Sequence, residues 1–450
     1  MHTFPSGSNM ENNHIVSGFS RMTREEKLDW IGKQARLSDQ TLATLRSHLH
    51  PHAGLQEVYS DISENTISNF FLPVGLAPNF LINGELLTVP MVIEESSVVA
   101  AASHAAKFWA LHGGFHAEVK DVLKVGQVHF TWTGKEASLF QVFGQLKNRL
   151  LQSVQGLTGR MERRGGGIHN MEIRRTSDAL PGTYQLFVTF RTANAMGANF
   201  INSVLESLAT TFKKAMEEHA GDGSPEIIMS ILSNYTPECL VRCHAEADTR
   251  IFDRVHPQMT GQEFAGKFTG AVEIAREDPY RAVTHNKGIF NGMDAVILAT
   301  GNDFRAVEAC GHAYASRNGR YQSLSVAELS GSRFTFSLEI PLAVGTVGGL
   351  TGTHPMASAA MEILGQPSAE QLMQVIAAAG LASNFSAVRS LITTGIQAGH
   401  MKMHLGNILR QLNASEKESE LATGHFASET VSHAAVAGFL RSLRDQKGTE

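Results

Sequence analysis

Lys287, in THNKGIFNGMD, stands 16 residues before Asp303, in ATGNDFR, and each sits beside glycine and asparagine at what reads as a helix edge. A lysine held by a carboxylate can polarise a carbonyl group and stabilise the oxyanion formed when hydride adds to it. The same two residues would also make an ordinary structural ion pair. Glu94 and Glu95 close the strand-like TVPMVIEE directly before a helix. A carboxylate there either complements the helix dipole or transfers a proton to a neighbouring substrate. His400 and His404 share one helical face, but Met401 stands where an HExxH metalloprotease needs glutamate. A histidine acting as an acid near neutral pH remains open. HLHPH (48–52) and CLVRCH (239–244) each lack the remote second half of a zinc site, so no metal is expected.

Two further segments suit a phosphate. NAMGAN, from Asn194 through Ala195, Met196, Gly197 and Ala198 to Asn199, joins a strand to a long helix. Free amides and the positive end of the helix dipole converge there. A tight turn with Asn194 as N-cap accounts for the same residues. Arg163 and Arg164 precede Gly165, Gly166 and Gly167, where bare backbone beside guanidinium groups can approach an anion or form a flexible loop. Neither matches GxGxxG or GxxxxGK[ST], which leaves a Rossmann or P-loop site unsupported. GTVGGLTGTHP (345–355) is dense in glycine, as close packing against a ligand or another segment requires.

These residues need elements to hold them. From Gly126 to Leu232 the periodicity predicts a strand (126–132), a helix (138–154), strands at IHNMEIRR and YQLFVTFR, a helix (198–219) stopped by Gly221 and Gly223, and a strand at EIIMSIL. The order β-α-β-β-α-β is the split βαβ, or ferredoxin-like, arrangement. Its flanks alternate strands with Ala-rich helices such as 96–112. The expected fold is therefore α+β, a large mixed α/β domain (1–121 and 233–394) interrupted by a ferredoxin-like domain (122–232), with a small helical unit at 395–450.

The 450 residues suffice for a large buried core, and 38 Lys+Arg against 43 Asp+Glu leave a net charge of −5 with no basic run. Nucleic acid is not an expected partner. Three cysteines are too few and too odd in number for a disulfide framework and point to a reducing compartment, the cytoplasm by default. The longest apolar stretches fall short of a bilayer's ~20 residues, and the polar start is no secretory signal. No membrane association is expected.

Taken together, ENTISNFFLPVGLAPNFLINGELLTVPMVIEESSVVAAAS, NAMGAN, DPYRAVTHNKGIFNGMDAVILATGNDFRAVEA, PLAVGTVGGLTGTHP and GIQAGHMKMH resemble 3-hydroxy-3-methylglutaryl-coenzyme A (HMG-CoA) reductases of the soluble prokaryotic class, class II. The segments follow the family's order from about residue 20 onward. The resemblance implies reduction of HMG-CoA to mevalonate and coenzyme A, or the reverse, with two equivalents of NADPH or NADH through a mevaldyl-coenzyme A hemithioacetal. It makes Lys287 the lysine that polarises the thioester carbonyl, Asp303 the carboxylate that orients it, Glu95 a proton-transfer group and His400 the acid for the departing thiolate. Ser97 and Arg281 would bind the substrate carboxylate, with Asn291 and Asn234 nearby. The NAMGAN loop and Gly165 to Asn170 would hold the dinucleotide. The family's C-terminal unit is a mobile flap, and its active site is shared between the subunits of a homodimer.

The chain departs from the family pattern at three places. Asn194 replaces the aspartate of DAMGAN, Ser68 the glycine of ENxIG and Ser96 the proline of EEPS. Ser68 is neutral unless its backbone needs a positive φ. Asn170, with Arg174 and Arg175 nearby, in place of an acidic residue favours NADPH over NADH. The loss of charge at Asn194 raises the alternative of a non-catalytic paralogue that binds coenzyme A esters, against which stand Lys287, Asp303, Glu95 and His400.

Overall fold

The structure is a computed structural model describing residues 15–219, 221, 223–393, 405–426, 429 and 431–447. Three short helices open the chain, α1 (Arg24–Gln34), α2 (Asp39–Ser47) and α3 (Ala53–Asp61). Thr23 and Glu26 start α1 with a reciprocal capping box. Strands β1 (Val74–Ile82) and β2 (Glu85–Val92) form a hairpin turned at Asn83 and Gly84, both at positive φ. Then come α4 (Val98–Ala110) and β3 (His116–Val119).

The middle segment runs β4 (Lys124–Trp132), α5 (Glu136–Ser153), α6 (Gln155–Glu162), β5 (Gly167–Arg175), β6 (Thr183–Arg191), α7 (Ala198–His219) and β7 (Pro225–Ser233). The sheet order is β5-β6-β4-β7, every neighbour antiparallel, which is the strand order of a split βαβ unit. The separate short helix α6 was not foreseen. β6 alternates buried and half-buried side chains because only one sheet face is covered by α5 and α7.

The chain returns through β8 (Leu240–Asp248), α8 (Gly261–Glu277), α9 (Pro279–Ala299), α10 (Phe304–Ala315), β9 (Ser325–Ser330), β10 (Arg333–Pro341), α11 (Leu350–Thr353), α12 (Pro355–Ile363) and α13 (Ala369–Ile392). A second sheet has the order β3-β8-β10-β9. α13 passes through the middle of this part, against α9, α4 and β8. It is long and apolar enough to cross a bilayer by composition, yet 72% of its most apolar window is buried inside the protein. Its apolar surroundings explain why it carries so little amphipathic pattern. A third, small core joins helix α14 (405–411) to α15 (Glu416–His425) and α16 (His433–Lys447) through Leu405, Leu409, Phe426 and Leu440.

Candidate active site

α9 begins after Asp278, whose carboxylate caps Tyr280 N, with Pro279 pre-set at the first helical position. Its solvent-facing stripe carries Tyr280, Thr284, Lys287 and Asn291 at helical spacing. Lys287 thus lies in mid-helix, not at an edge as its glycine and asparagine neighbours suggested. Those neighbours serve packing: Asn286 is fully buried, and its side chain bridges Gln322 O and Leu324 N.

Lys287 Nζ donates to Glu95 Oε2 at 2.6 Å, and Asn291 Nδ2 donates to the same oxygen at 3.3 Å. Glu95 comes from the segment between β2 and α4. Two residues on, Ser97 begins α4 at φ 90° and ψ −27° and makes no side-chain cap. A serine held in left-handed backbone stores strain that only the surroundings sustain, as functional sites often do. Ser97 therefore sits beside the Glu95–Lys287 pair with its hydroxyl uncommitted to the helix. Asp303 is elsewhere: it caps α10 through Arg305 N and Ala306 N and pairs with Arg305 at 3.2 Å. Among the described residues, the carboxylate that touches Lys287 is Glu95.

Arg281 lies about 9 Å along the helix axis from Lys287, half-buried and without a carboxylate partner among the described residues. Burial pulls its pKa down. Asn234 is exposed in the bend after β7, while Thr236 beyond it donates to Cys310 Sγ on α10. Asp294, one turn past Asn291, is pushed up by burial and by Glu308 on α10. His400 and His404 lie outside the described residues.

Below Lys287, His285 is buried, shares a hydrogen bond of 2.6 Å with Ser325 Oγ, and is pulled down to about 3, first by burial and then by Arg281. Its neutral form is the one that fits. Above pH 6.5 the folded and unfolded imidazoles are both neutral, and below it the unfolded chain takes up the proton first. Stability should therefore fall as pH drops from 6.5 toward 3, by up to about 1.4 kcal/mol per pH unit from this group. Thermal melts of wild type and His285→Gln between pH 7 and 5 check this. Equal pH slopes in the two proteins would refute it.

The NAMGAN loop meets the glycine-bearing segment that begins at Gly345. Asn194 O accepts from Thr346 N at 2.8 Å, Ala195 bridges Val347, and Gly345 N donates to Asn302 Oδ1 at 2.8 Å. A Cβ on Gly345 would stand 2.3 Å from Met196 N, so glycine is what lets the two strands of backbone approach. Asn194 Oδ1 accepts from Ala369 N, at the start of α13, at 3.0 Å. The replaced aspartate would accept the same bond, so this contact does not depend on the lost charge. The Met196 amide lies against Gly345, beside the Ala195–Val347 bridge, so this side of the loop is closed by the 345–347 segment. Gly197, at φ 95°, permits the turn into α7, whose first residues are Ala198 and Asn199.

Gly165 and Gly167 have positive φ, and a Cβ on Gly166 would meet Arg191 O at 2.5 Å. The run is required by its own turn, with or without a ligand. Asn170 sits at a bulge in β5 and accepts from Lys147 Nζ at 3.1 Å. Arg174 and Arg175 stand at the far end of β5 and are already engaged. Arg174 pairs with Glu172 and stacks 3.5 Å over Phe187, while Arg175 pairs with Glu136. Lys147, Arg163 and Arg164 are the cations nearer in sequence or by contact to the glycine run and Asn170. Ser68 is not at positive φ and donates to Leu45 O at 2.6 Å, so serine is tolerated there.

An ammonium held by a carboxylate on one unit and a glycine loop opening a helix on a second suit stabilisation of an oxyanion and binding of an anionic group. Residues 23–405 match the family model described as hydroxymethylglutaryl-coenzyme A reductase. The chain is 36% identical to 3-hydroxy-3-methylglutaryl-coenzyme A reductase of Archaeoglobus fulgidus over 90% of this chain and 88% of that one. It is 32% identical to a probable reductase of the same name from Borreliella burgdorferi, over 79% of each chain. Among solved structures, it superposes with a TM-score of 0.70 on the class II reductase of Streptococcus pneumoniae bound to NADPH in open conformations. That match has 37% identity and covers 94% of this chain and all of that one. This chain belongs to the hydroxymethylglutaryl-coenzyme A reductase family, and its activity is that of an oxidoreductase of the mevalonate pathway.

Lys124 and Thr192 escaped the sequence reading. The one available signal was a lysine opening the alternating strand KVGQVHF.

Proposed function

We propose that Lys287, Glu95 and Asn291 form the centre at which this chain reduces HMG-CoA to mevalonate and coenzyme A. The observation that carries this reading is the 2.6 Å contact between Lys287 Nζ and Glu95 Oε2, with Asn291 on the same oxygen. A cation at that point stabilises the oxyanion that develops on the thioester carbonyl, and later on the aldehyde. Glu95, in contact with the ammonium, is placed to replace the proton that Lys287 gives to that oxygen. Ser97 and Arg281 bind the substrate's distal carboxylate, for which a guanidinium fork is well matched. Asn234 belongs to the same site and His400 protonates the departing thiolate, whereas Asp303, tied to the α10 start and to Arg305, makes no contact with Lys287 here.

NADPH, or NADH, supplies the hydrides. The segment 122–232 is the unit that holds it, through the NAMGAN loop from Asn194 to Asn199 and through Gly165, Gly166, Gly167 and Asn170. The start of α7 directly after the loop and the cations Lys147, Arg163 and Arg164 support that reading. The paired state of Arg174 and Arg175 shifts any preference for NADPH onto the latter three.

A homodimer is part of the proposal. Phe70 and Tyr280 are each 90% exposed, and Phe71, Val74, Leu76 and Val283 add apolar surface on the same two elements and the approach to them. Val74 pairs in register with Val92, three residues before Glu95, so the apolar surface runs up to the proposed centre. A second copy covering it would complete a shared site. Three buried free thiols, Cys239, Cys243 and Cys310, fit a reducing cytoplasm.

The test is oxidation of NADPH, and separately NADH, by the purified protein with the HMG thioester. Turnover with a higher kcat/KM for NADPH is expected. A folded protein that binds the thioester and oxidises neither cofactor would overturn the reading in favour of a non-catalytic binder.

A further inference from the structure

Lys124 is only 4% exposed. Its ammonium donates to Thr192 Oγ1 at 2.5 Å and to the Ala195 carbonyl at 2.9 Å. Thr192 turns its own hydroxyl proton to the same carbonyl at 2.6 Å. No carboxylate pairs with this cation among the described residues. Asp121, three residues earlier, is engaged by Arg191 at 2.9 Å, and burial keeps the neighbouring Cys239 thiol protonated by pushing it up to about 11.

The lysine stands where the two chain crossings between the units run side by side. Lys120 N donates to Leu240 O at 2.7 Å, and Leu240 N donates to Asp121 O at 2.9 Å. A buried ammonium without a counter-charge disfavours folding relative to an apolar side chain of the same length. Packing therefore does not explain it.

The peptide plane does. The carbonyl of Ala195 and the amide of Met196 belong to one planar trans unit and point in opposite directions. Two donors that hold Ala195 O on one side therefore turn the Met196 amide to the other, against Gly345 and the Ala195–Val347 bridge, and so fix the loop between Lys124 and the 345–347 segment. The first turn of α7, two residues on, presents its free amides from the same loop.

We propose that Lys124 is a positioning residue for the dinucleotide. It locks the Ala195 carbonyl, and with it the NAMGAN loop, so that the α7 N-terminus that follows faces the anionic phosphates, and it adds a positive charge beneath them. This rests on the reading of the NAMGAN loop as the dinucleotide site.

The variants are Lys124→Met, which keeps length without charge, Lys124→Arg and Thr192→Val, each as intact protein. NADPH binding is followed by nicotinamide fluorescence, and steady-state kinetics are run in both substrates. For Lys124→Met the Kd and KM for NADPH should rise about tenfold or more, with kcat and the thioester KM nearly unchanged. Lys124→Arg should recover part of the affinity, and Thr192→Val should weaken NADPH binding in the same direction.

A Lys124→Met protein that binds NADPH as wild type does would overturn the proposal, as would a loss shared equally by the thioester KM. Should Lys124→Met fail to fold, Thr192→Val decides: unchanged NADPH affinity there refutes the lock. Wild-type protein that does not bind NADPH would instead remove the dinucleotide reading itself, and this inference with it.

Discussion

Lys287→Ala lowers kcat for thioester reduction by about 10²- to 10³-fold, the loss typical of removing one preorganised group that stabilises an oxyanion. The fold should not notice. Lys287 is 60% exposed at its side chain, and its close partner among the described residues is Glu95. An exposed pair of this kind contributes about 0 to 1 kcal/mol to stability, so melting temperature stays near that of wild type while turnover collapses. The outcome that sinks the assignment is a variant keeping kcat within about threefold of wild type. Glu95 would then be holding an ordinary surface ion pair. Loss of both activity and fold would point to a structural role for α9's outer stripe, which its exposure argues against.

Gly292→Ala is the second large effect, and it is set by geometry alone. α9 and α13 cross at this residue so closely that a Cβ would lie 2.3 Å from Ala379 O and 2.7 Å from Ser383 Cβ. One helix turn away on α13, Gly380 faces Met293 in the same manner, its Cβ position 2.6 Å from Met293 Cγ. Alanine is favoured over glycine by about 1 kcal/mol inside a helix, while overpacking a core costs about 1–3 kcal/mol. The clash wins at Gly292 because its nearest atom is a backbone carbonyl, which cannot swing aside as a side chain can. The helices must move apart, and α9 carries Lys287 and Asn291 with it. Denaturant unfolding should show a loss of about 1–3 kcal/mol, and kcat should fall in the same variant. A variant as stable as wild type, with unchanged kcat, would mean that the crossing relaxes freely and does not position the site.

The sequence by itself specified much of the middle of the protein. Alternation in YQLFVTFR and helical spacing in 138–154 and 198–219 placed β6, α5 and α7 within a few residues of Thr183–Arg191, Glu136–Ser153 and Ala198–His219. Side-chain period is local information, and a sheet with one covered face writes it plainly. The same holds for Asp303 at a helix start. The motif resemblance added the family, which residue chemistry alone did not reach.

The partners were legible only in three dimensions. Lys287 was matched by nearness in sequence to Asp303, whereas its contact is Glu95, 192 residues away. Lys287 read as a helix-edge residue because glycine and asparagine flank it, and those neighbours turn out to be packed against β9's approach and α13. Arg174 and Arg175 read as cations near a phosphate site, but Glu172 on the same strand and Glu136 on α5 had already taken their charge. Lys124 gave almost no signal, since nothing local tells whether a lysine at a strand's first position will be exposed or sealed under a loop. Periodicity and backbone preference are fixed by a residue and its few neighbours along the chain. Which charge meets which, and whether water reaches it, is fixed by segments that are distant in sequence and meet only when the core closes.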